Sequence, residues 1–223
     1  IRINSIDTEW HADDLAAAAA AGPDAVVVPK VGSPEDVAAV EAGLEAGGAP
    51  DRTRIWAMLE TPQAVVAAPA ITTCSERLTV LVMGTNDLAK ELHATHVPGR
   101  APLLYGLSAC VTAARLADKV ILDGVFNDLD DADGFAAECR QGAELGFDGK
   151  TLIHPSQLEP CNRAFSPTQA EVERARIIIA AFEEAEADGR GVVTVGGRMV
   201  ENLHVEQARR TLAIAEAIAA LSS

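Results

Sequence analysis

The sequence predicts an α/β protein with a parallel sheet, and within that class it favours part of an eight-stranded (β/α)8 TIM barrel. Short apolar segments alternate with longer alanine-rich segments over most of the chain, which is typical of parallel strands joined by crossover helices. A polar residue follows nearly every apolar segment, as at the C-terminal face of a barrel, where the active site is built from many strand ends. No glycine-rich phosphate-binding motif follows any of these segments, which argues against a dinucleotide-binding or Walker-type sheet.

Six strand-and-helix units are expected in succession. Residues 1–4 look like the end of a strand, so we expect two further units of about 30 residues each to precede them in a complete barrel. Asp7 or Thr8 can cap the next helix, and Gly22 can end it. The other strands are expected at 25–30, 55–59, 78–83, 119–125 and 149–155.

Helix starts are marked by a hydroxyl residue followed by proline. Ser33-Pro34 and Thr61-Pro62 both have this form, with a capping side chain and a proline at the first helical position. Ser166-Pro167 predicts a similar start, as a capping box, for a long helix after the last strand. A glycine-rich hairpin at 191–200 and a final amphipathic helix follow. We therefore expect a barrel core at residues 1–160 and a C-terminal helical extension at 161–223, acting as a lid or as an arm onto another subunit.

Composition limits the partners of the protein. The formal net charge is −15 and the pI is near 4.6, which argues against nucleic acid and anionic membranes as partners. An anionic substrate remains possible because a few local cations can define a pocket. No segment reaches the roughly 18 uninterrupted apolar residues of a membrane span. Four cysteines without metal-binding spacing indicate buried free thiols in a reducing compartment, and we expect the cytoplasm.

Two carboxylates follow consecutive apolar segments. Glu60 follows the segment 55–59, and Asp87 lies shortly after the segment 78–83. On neighbouring parallel strands these acids would converge on one mouth of the barrel, and two hard oxygen ligands suit Mg²⁺. Either acid alone could instead cap or charge a helix N-terminus. The repetition of the pattern favours the metal site.

Several motifs, in order along nearly the whole chain, resemble the HpcH/HpaI aldolase and citrate lyase β-subunit superfamily. The nearest group is the stand-alone citrate lyase β-like proteins. The matching motifs are Arg2-Ile3-Asn4, Val28-Pro29-Lys30-Val31, Leu59-Glu60-Thr61-Pro62, Gly84-Thr85-Asn86-Asp87-Leu88, Ile121-Leu122-Asp123-Gly124-Val125, Gly146-Phe147-Asp148-Gly149-Lys150, Ile153-His154-Pro155-Ser156-Gln157 and Gly197-Arg198-Met199-Val200.

The resemblance implies a TIM barrel that cleaves or forms a carbon–carbon bond beside a CoA thioester, with Mg²⁺ as cofactor. It implies Glu60 and Asp87 as metal ligands and Arg2 as the catalytic and binding partner of the substrate carboxylate or carbonyl. The family usually carries an aspartate just after the motif of the C-terminal arm, presented to a neighbouring subunit as an acid/base. Glu201 occupies that position here. The resemblance and the detached arm favour a homo-oligomer, a trimer.

Other strand-end residues keep more than one possible role. Gly84-Thr85-Asn86 begins a helix whose N–H groups could hold a substrate carboxylate, or it forms a plain tight turn. Asp123 could orient Arg2, contact the thioester end during catalysis or make a structural hydrogen bond. Lys30 could lie beside the pocket, although a solvated lysine at a strand end is the simpler interpretation. His154 is a candidate for binding substrate, although a structural hydrogen bond is the simpler interpretation.

We therefore expect a Mg²⁺-dependent lyase that splits CoA thioesters of 3-hydroxy acids, such as citryl-CoA or malyl-CoA. The products would be an acyl-CoA and a keto acid or aldehyde, such as oxaloacetate, pyruvate, glyoxylate or acetoacetate. Three alternatives remain: a malate-synthase-like condensation with thioester hydrolysis, an aldolase acting on free keto acids, and a non-catalytic subunit that binds a CoA ligand.

Overall fold

The computed structural model describes residues 1–187, 189 and 191–221, and the chain divides into two compact units, Ile1–Phe165 and Ser166–Ser223. The first unit contains α1 (His11–Ala21), β1 (Ala25–Val28), α2 (Pro34–Ala46), β2 (Arg54–Leu59), α3 (Pro62–Thr73), β3 (Leu78–Met83), α4 (Thr85–Glu91), α5 (Leu104–Leu116), β4 (Val120–Asp123), α6 (Ala132–Leu145), β5 (Gly149–Lys150) and α7 (Leu158–Phe165). The second contains α8 (Gln169–Ala187), β6 (Val193–Val195), β7 (Arg198–Val200) and α9 (Asn202–Leu221). The domain division at 160 and 161 stays a prediction.

Five parallel strands form the sheet of the first unit, in the order β1-β2-β3-β4-β5. Leu59 and Met83 are partners in the register of β2 and β3, so the C-terminal ends of these strands lie side by side. Arg2 adds one parallel bridge to Val27 in β1, where a strand end was expected. The predicted α/β fold with a parallel sheet is confirmed. Closure into an eight-stranded barrel with two further units stays a prediction.

The core lies between this sheet and its helices. In β3, residues on both faces are buried, as expected for a parallel strand covered on two sides. Large apolar side chains from the helices, such as Leu44, Ile71 and Leu107, are fully buried against the strands. Because a doubly covered strand has no solvent-facing side, its polar functional groups are confined to its ends.

The helix starts at α2 and α3 follow the predicted pattern. Ser33 Oγ accepts a hydrogen bond from the Asp36 N–H, and the Asp36 carboxylate accepts one from the Ser33 N–H, completing a capping box. Thr61 Oγ1 accepts the Ala64 N–H in the same way. Each hydroxyl satisfies a backbone donor that the first helical turn leaves without a partner.

The prediction that Asp7 or Thr8 caps α1 is wrong. The residue before the helix is Trp10, and it makes no capping hydrogen bond through its side chain. The Thr8 hydroxyl donates to the Ser5 carbonyl oxygen instead, because residues 5–8 form their own turn. The local turn removes the hydroxyl from the helix start.

The start of α8 lies later than predicted. Thr168 Oγ1 accepts the Glu171 N–H at 3.2 Å, and the Thr168 N–H donates to Glu171 Oε2 at 2.8 Å. This reciprocal pair, rather than Ser166-Pro167, forms the capping box, because threonine followed by glutamate three residues later satisfies both donors. The hairpin of β6 and β7 is antiparallel, as expected. Within the described part of the chain, no helix is long and apolar enough to cross a membrane.

All four cysteines are free thiols, and three of them, Cys110, Cys139 and Cys161, are buried as expected. Cys74 is exposed, contrary to the prediction. It follows the last residue of α3, where the chain leaves the helix before β3 begins. Its position at a helix end removes it from the packed interior.

Candidate metal and substrate site

Glu60 leaves the end of β2 and is held by the backbone on both sides. Its side chain is almost completely buried. The Lys30 N–H, just after β1, donates a hydrogen bond of 2.8 Å to Glu60 Oε1. Gly84, just after β3, gives the carboxylate its space, since a Cβ on Gly84 would overlap the Cβ and Oε2 atoms of Glu60. The positions of β1 and β3 therefore fix this side chain.

Asp87 lies in the first turn of α4 and is partly buried. Burial raises the pKa of Glu60, and the negative charge of Asp87 raises it further. The Lys30 N–H and the positive charges of Lys30 and Arg2 act in the opposite direction on this pKa. The structure thus brings the two predicted metal ligands together and places Arg2 and Lys30 within electrostatic reach of Glu60.

The two carboxylates fit a divalent cation with hard oxygen ligands. A cation would neutralise the buried charge of Glu60 and remove its repulsion with Asp87. Mg²⁺ commonly takes one or two carboxylates and fills its remaining positions with water and substrate oxygens. Among the described residues there is no group of three or more His, Cys, Asp or Glu side chains that could hold a metal.

The beginning of α4 is tied to the loop after β4. Asn86 and Asn127 exchange two side-chain hydrogen bonds, of 3.0 and 2.7 Å. Gly124 lies against the buried Thr85 side chain, which a Cβ at this glycine would overlap. The role of residues 84–86 in binding a substrate carboxylate stays a prediction. Asn127 was missed from the sequence, where its only signal was its place shortly after a strand.

Asp123 is completely buried in a cluster of four charges. Its carboxylate accepts hydrogen bonds from Arg100 at 2.7 and 2.8 Å and from Lys150 at 3.0 Å. Lys150 also pairs with Glu138 at 2.7 Å. Two cations thus compensate two anions. Among the described residues the hydrogen bonds of Asp123 do not include Arg2, so the contacts correspond to the structural role considered for it, and its catalytic role stays a prediction.

His154 and Glu201 both lie just before helices. His154 is exposed, and its Nδ1 accepts the Ser156 N–H at 3.2 Å, which caps the short 3-10 helix after β5. Glu201 belongs to the second unit, where its N–H donates to His204 Nδ1 at 3.1 Å. Substrate binding by His154 and acid/base catalysis by Glu201 stay predictions.

A sequence model of HpcH/HpaI aldolase/citrate lyase matches residues 1–155. The chain belongs to the HpcH/HpaI aldolase/citrate lyase family. The resemblance inferred from the motifs is confirmed, and the match includes Arg2, Glu60 and Asp87.

Similar proteins of this family carry names that imply different reactions. A (3S)-malyl-CoA thioesterase from Cereibacter sphaeroides is 52% identical over 223 residues, covering 100% of this chain and 76% of the relative. The citrate lyase subunit beta of Escherichia coli is 34% identical over 221 residues, covering 97% of this chain and 73% of the relative. The crystal structure of CitE from Mycobacterium tuberculosis in complex with magnesium, acetoacetate and coenzyme A is 27% identical with a TM-score of 0.78, covering 96% of this chain and 77% of that one.

Proposed function

We propose that this protein is a Mg²⁺-dependent hydrolase of a short 3-hydroxyacyl-CoA thioester with a free carboxylate, of the malyl-CoA type. The main support for hydrolysis is the 52% identity, over all 223 residues, to a protein named as a (3S)-malyl-CoA thioesterase. This choice favours thioester hydrolysis, which the sequence suggested only together with a malate-synthase-like condensation, over carbon–carbon cleavage.

The metal would be held by Glu60 and Asp87. When bound, Mg²⁺ supplies Lewis-acid polarisation of substrate oxygens and fixes their orientation. The support for this assignment is that the negative charge of Asp87, in the helix after β3, raises the pKa of Glu60, at the end of the adjacent strand β2. The Lys30 N–H fixes one Glu60 oxygen through its hydrogen bond, which limits the orientations of the carboxylate.

Arg2 would bind the anionic end of the substrate. Its side chain is exposed, and its charge reaches Glu60. A guanidinium group matches a carboxylate with two parallel hydrogen bonds. A substrate carboxylate held by Arg2 would therefore lie beside the two acidic residues, and this is why we favour an acyl group that carries a free carboxylate.

Glu201 is proposed as the group that accepts a proton from the attacking water. The water oxygen forms a bond to the thioester carbonyl carbon, the carbon–sulfur bond breaks, and CoA leaves as a thiolate. A thiol has an ordinary pKa near 8.5, so this leaving group needs little help from an acid.

We also propose a homotrimer in which Glu201 serves a neighbouring subunit, and light scattering would test the oligomeric state.

Carbon–carbon cleavage is the second candidate. It is favoured by the 34% identity to a citrate lyase subunit beta and by the similarity to a CitE structure that holds magnesium, acetoacetate and coenzyme A. The two reactions share the metal, the thioester and the carboxylate, and they differ in the bond that breaks.

The products of malyl-CoA distinguish the candidates. We expect the protein with Mg²⁺ to release free CoA and malate, detected by mass spectrometry, and we expect Glu60→Gln and Asp87→Asn to abolish release. Formation of acetyl-CoA and glyoxylate would instead show that the protein catalyses carbon–carbon cleavage and not hydrolysis. Binding of Mg²⁺ and CoA without turnover would instead indicate a ligand-binding subunit. Glu159→Gln, at an exposed acid in α7, serves as the matched control.

A further inference from the structure

Two cysteines from different helices meet inside the first unit. Cys139 belongs to α6 and Cys161 to α7, and both are buried, with exposed fractions of 0% and 5%. They pack with Phe135 in a small apolar cluster beside the main core. The two side chains lie in the same buried cluster, and their interaction shifts the pKa values of the two thiols in opposite directions. The fold therefore holds together two sulfur atoms that are far apart in the sequence.

The surroundings give the two thiols different roles. The interaction with Cys139 lowers the pKa of Cys161, against the effect of burial, whereas Lys150 lowers and Asp123 raises the pKa of both thiols. The pKa of Cys139 is raised by the interaction with Cys161 and by burial. Cys161 also has the larger exposed fraction, 5% against 0% for Cys139, so we take Cys161 as the thiol that reacts first.

We propose that Cys139 and Cys161 form a redox-active dithiol that a small peroxide converts, reversibly, into a disulfide joining α6 to α7. The Cys161 thiolate attacks one peroxide oxygen, the O–O bond breaks, and one water leaves to give a sulfenic acid. The Cys139 thiol then attacks the Cys161 sulfur, the S–O bond breaks, and a second water leaves. Two thiols are oxidised and one peroxide is reduced to two waters, and an external dithiol reverses the change.

The other two cysteines lack this arrangement, and they serve as internal controls. Cys110 is buried without a described thiol partner, and burial raises its pKa to about 12. Cys74 is exposed, but its closest described hydrogen-bonding partner is the Ile71 carbonyl oxygen, which its thiol contacts at 3.1 Å. Neither has a second thiol in place to complete a disulfide, so oxidation is expected to cross-link only the pair in α6 and α7.

Peptide mapping of the native protein tests the proposal. Trypsin cuts after Lys119, Arg140, Lys150 and Arg163, so that Cys139 lies in peptide 120–140 and Cys161 in peptide 151–163. The folded protein is treated with hydrogen peroxide, unfolded in guanidinium with iodoacetamide, and digested without a reductant. We expect the two peptides to appear joined, with the loss of two hydrogens, and to separate after dithiothreitol. Cys110 should be alkylated as a free thiol.

Variants make the test independent of any one peptide. Cys139→Ser removes the second thiol, so oxidation of Cys161 should stop at a sulfenic acid that dimedone traps. Cys110→Ser and Cys74→Ser should still form the cross-link. The proposal is overturned if peptides 120–140 and 151–163 are both alkylated after peroxide treatment, or if Cys161 proceeds to a sulfinic acid while Cys139 stays free. The wild-type peptide map decides the matter even if Cys139→Ser fails to fold.

Discussion

The Asp87 carboxylate lies close enough to Glu60 for its negative charge to raise the Glu60 pKa. Glu60 follows β2, and Asp87 lies in the helix that follows the neighbouring strand β3, so both acids lie at the same edge of the sheet. Folding therefore brings together two groups that repel each other, one of them buried. A bound cation would offset both the repulsion and the cost of burial.

Replacing Glu60 should change stability in a pH-dependent way. Because the folded-state pKa of Glu60 is raised, the folded protein holds this proton more tightly than the unfolded chain, and stability falls as pH rises through the two values. In EDTA we expect Glu60→Gln to exceed the wild type in free energy of unfolding at pH 8, and we expect the difference to disappear below pH 4.5, the ordinary value for this group. Urea denaturation at each pH measures this difference in the free energy of unfolding.

The control for this experiment is Glu159→Gln, which changes an exposed acid. Its free energy of unfolding should follow that of the wild type in parallel across the same pH range. A Glu60→Gln variant that is less stable than the wild type at pH 8 in EDTA would contradict the account, because burial of the charged carboxylate would then carry no penalty.

A methyl group at Gly84 should disturb the Glu60 carboxylate. The added Cβ would overlap Glu60 side-chain atoms, and forced overpacking of this kind typically costs about 1–3 kcal/mol. We expect Gly84→Ala to lower the free energy of unfolding by that amount and to weaken Mg²⁺ binding. Gly191→Ala is the matched control, because nothing lies within 4 Å of its added Cβ. Equal behaviour of the two variants would rule out the close approach of Gly84 to Glu60.

Removing the charge of Asp123 should destabilise the first unit. Asp123→Asn leaves the buried cations Arg100 and Lys150 with a single anion, Glu138. Breaking a buried pair in this way commonly costs about 3–5 kcal/mol. Urea denaturation of Asp123→Asn should show a loss of this size, and Glu159→Gln, from an exposed pair, should show no more than about 1 kcal/mol. A small loss for Asp123→Asn would mean that the cluster contributes little to folding.

The amide pair of Asn86 and Asn127 is expected to affect substrate binding more than folding. Its side chains are exposed, and Asn127→Ala removes both hydrogen bonds at about 1 kcal/mol each, which together correspond to roughly thirtyfold in affinity. We expect Asn127→Ala to raise the KM for the thioester by about this factor, with kcat little changed. Asn202→Ala, which removes an exposed hydrogen bond to Glu206 in the second unit, should leave the KM unaltered. Unchanged KM in both variants would remove Asn127 from the site.

Features encoded over a few residues could be predicted from the sequence. The helix ends depend on neighbouring residues only. Ser33 and Thr61 cap the starts of α2 and α3, and Gly22 ends α1, as expected. The apolar segment of β3 was equally clear, because a strand buried on both faces is almost entirely apolar, with Thr79 as the one polar residue in β3. The family could be inferred because its motifs lie at the strand ends.

Contacts between distant residues could not be predicted in the same way. The pairing of Arg100 with Asp123 joins a loop to a strand end, and the cluster of Cys139 and Cys161 joins α6 to α7. A single sequence does not specify which helix packs on which, so it suggested Arg2 as a partner of Asp123 and missed Arg100 and Lys150. At Thr168 the difficulty was local, since two hydroxyl residues compete to cap one helix and the one with glutamate three residues later prevails.

Isothermal titration of Mg²⁺ into the wild type, Glu60→Gln, Asp87→Asn and the Glu159→Gln control tests whether Glu60 and Asp87 hold the metal. We expect the wild type and the control to bind alike, and each of the other two variants to bind at least about tenfold more weakly, a difference of 1.4 kcal/mol or more. Undiminished Mg²⁺ affinity in both Glu60→Gln and Asp87→Asn would contradict this assignment.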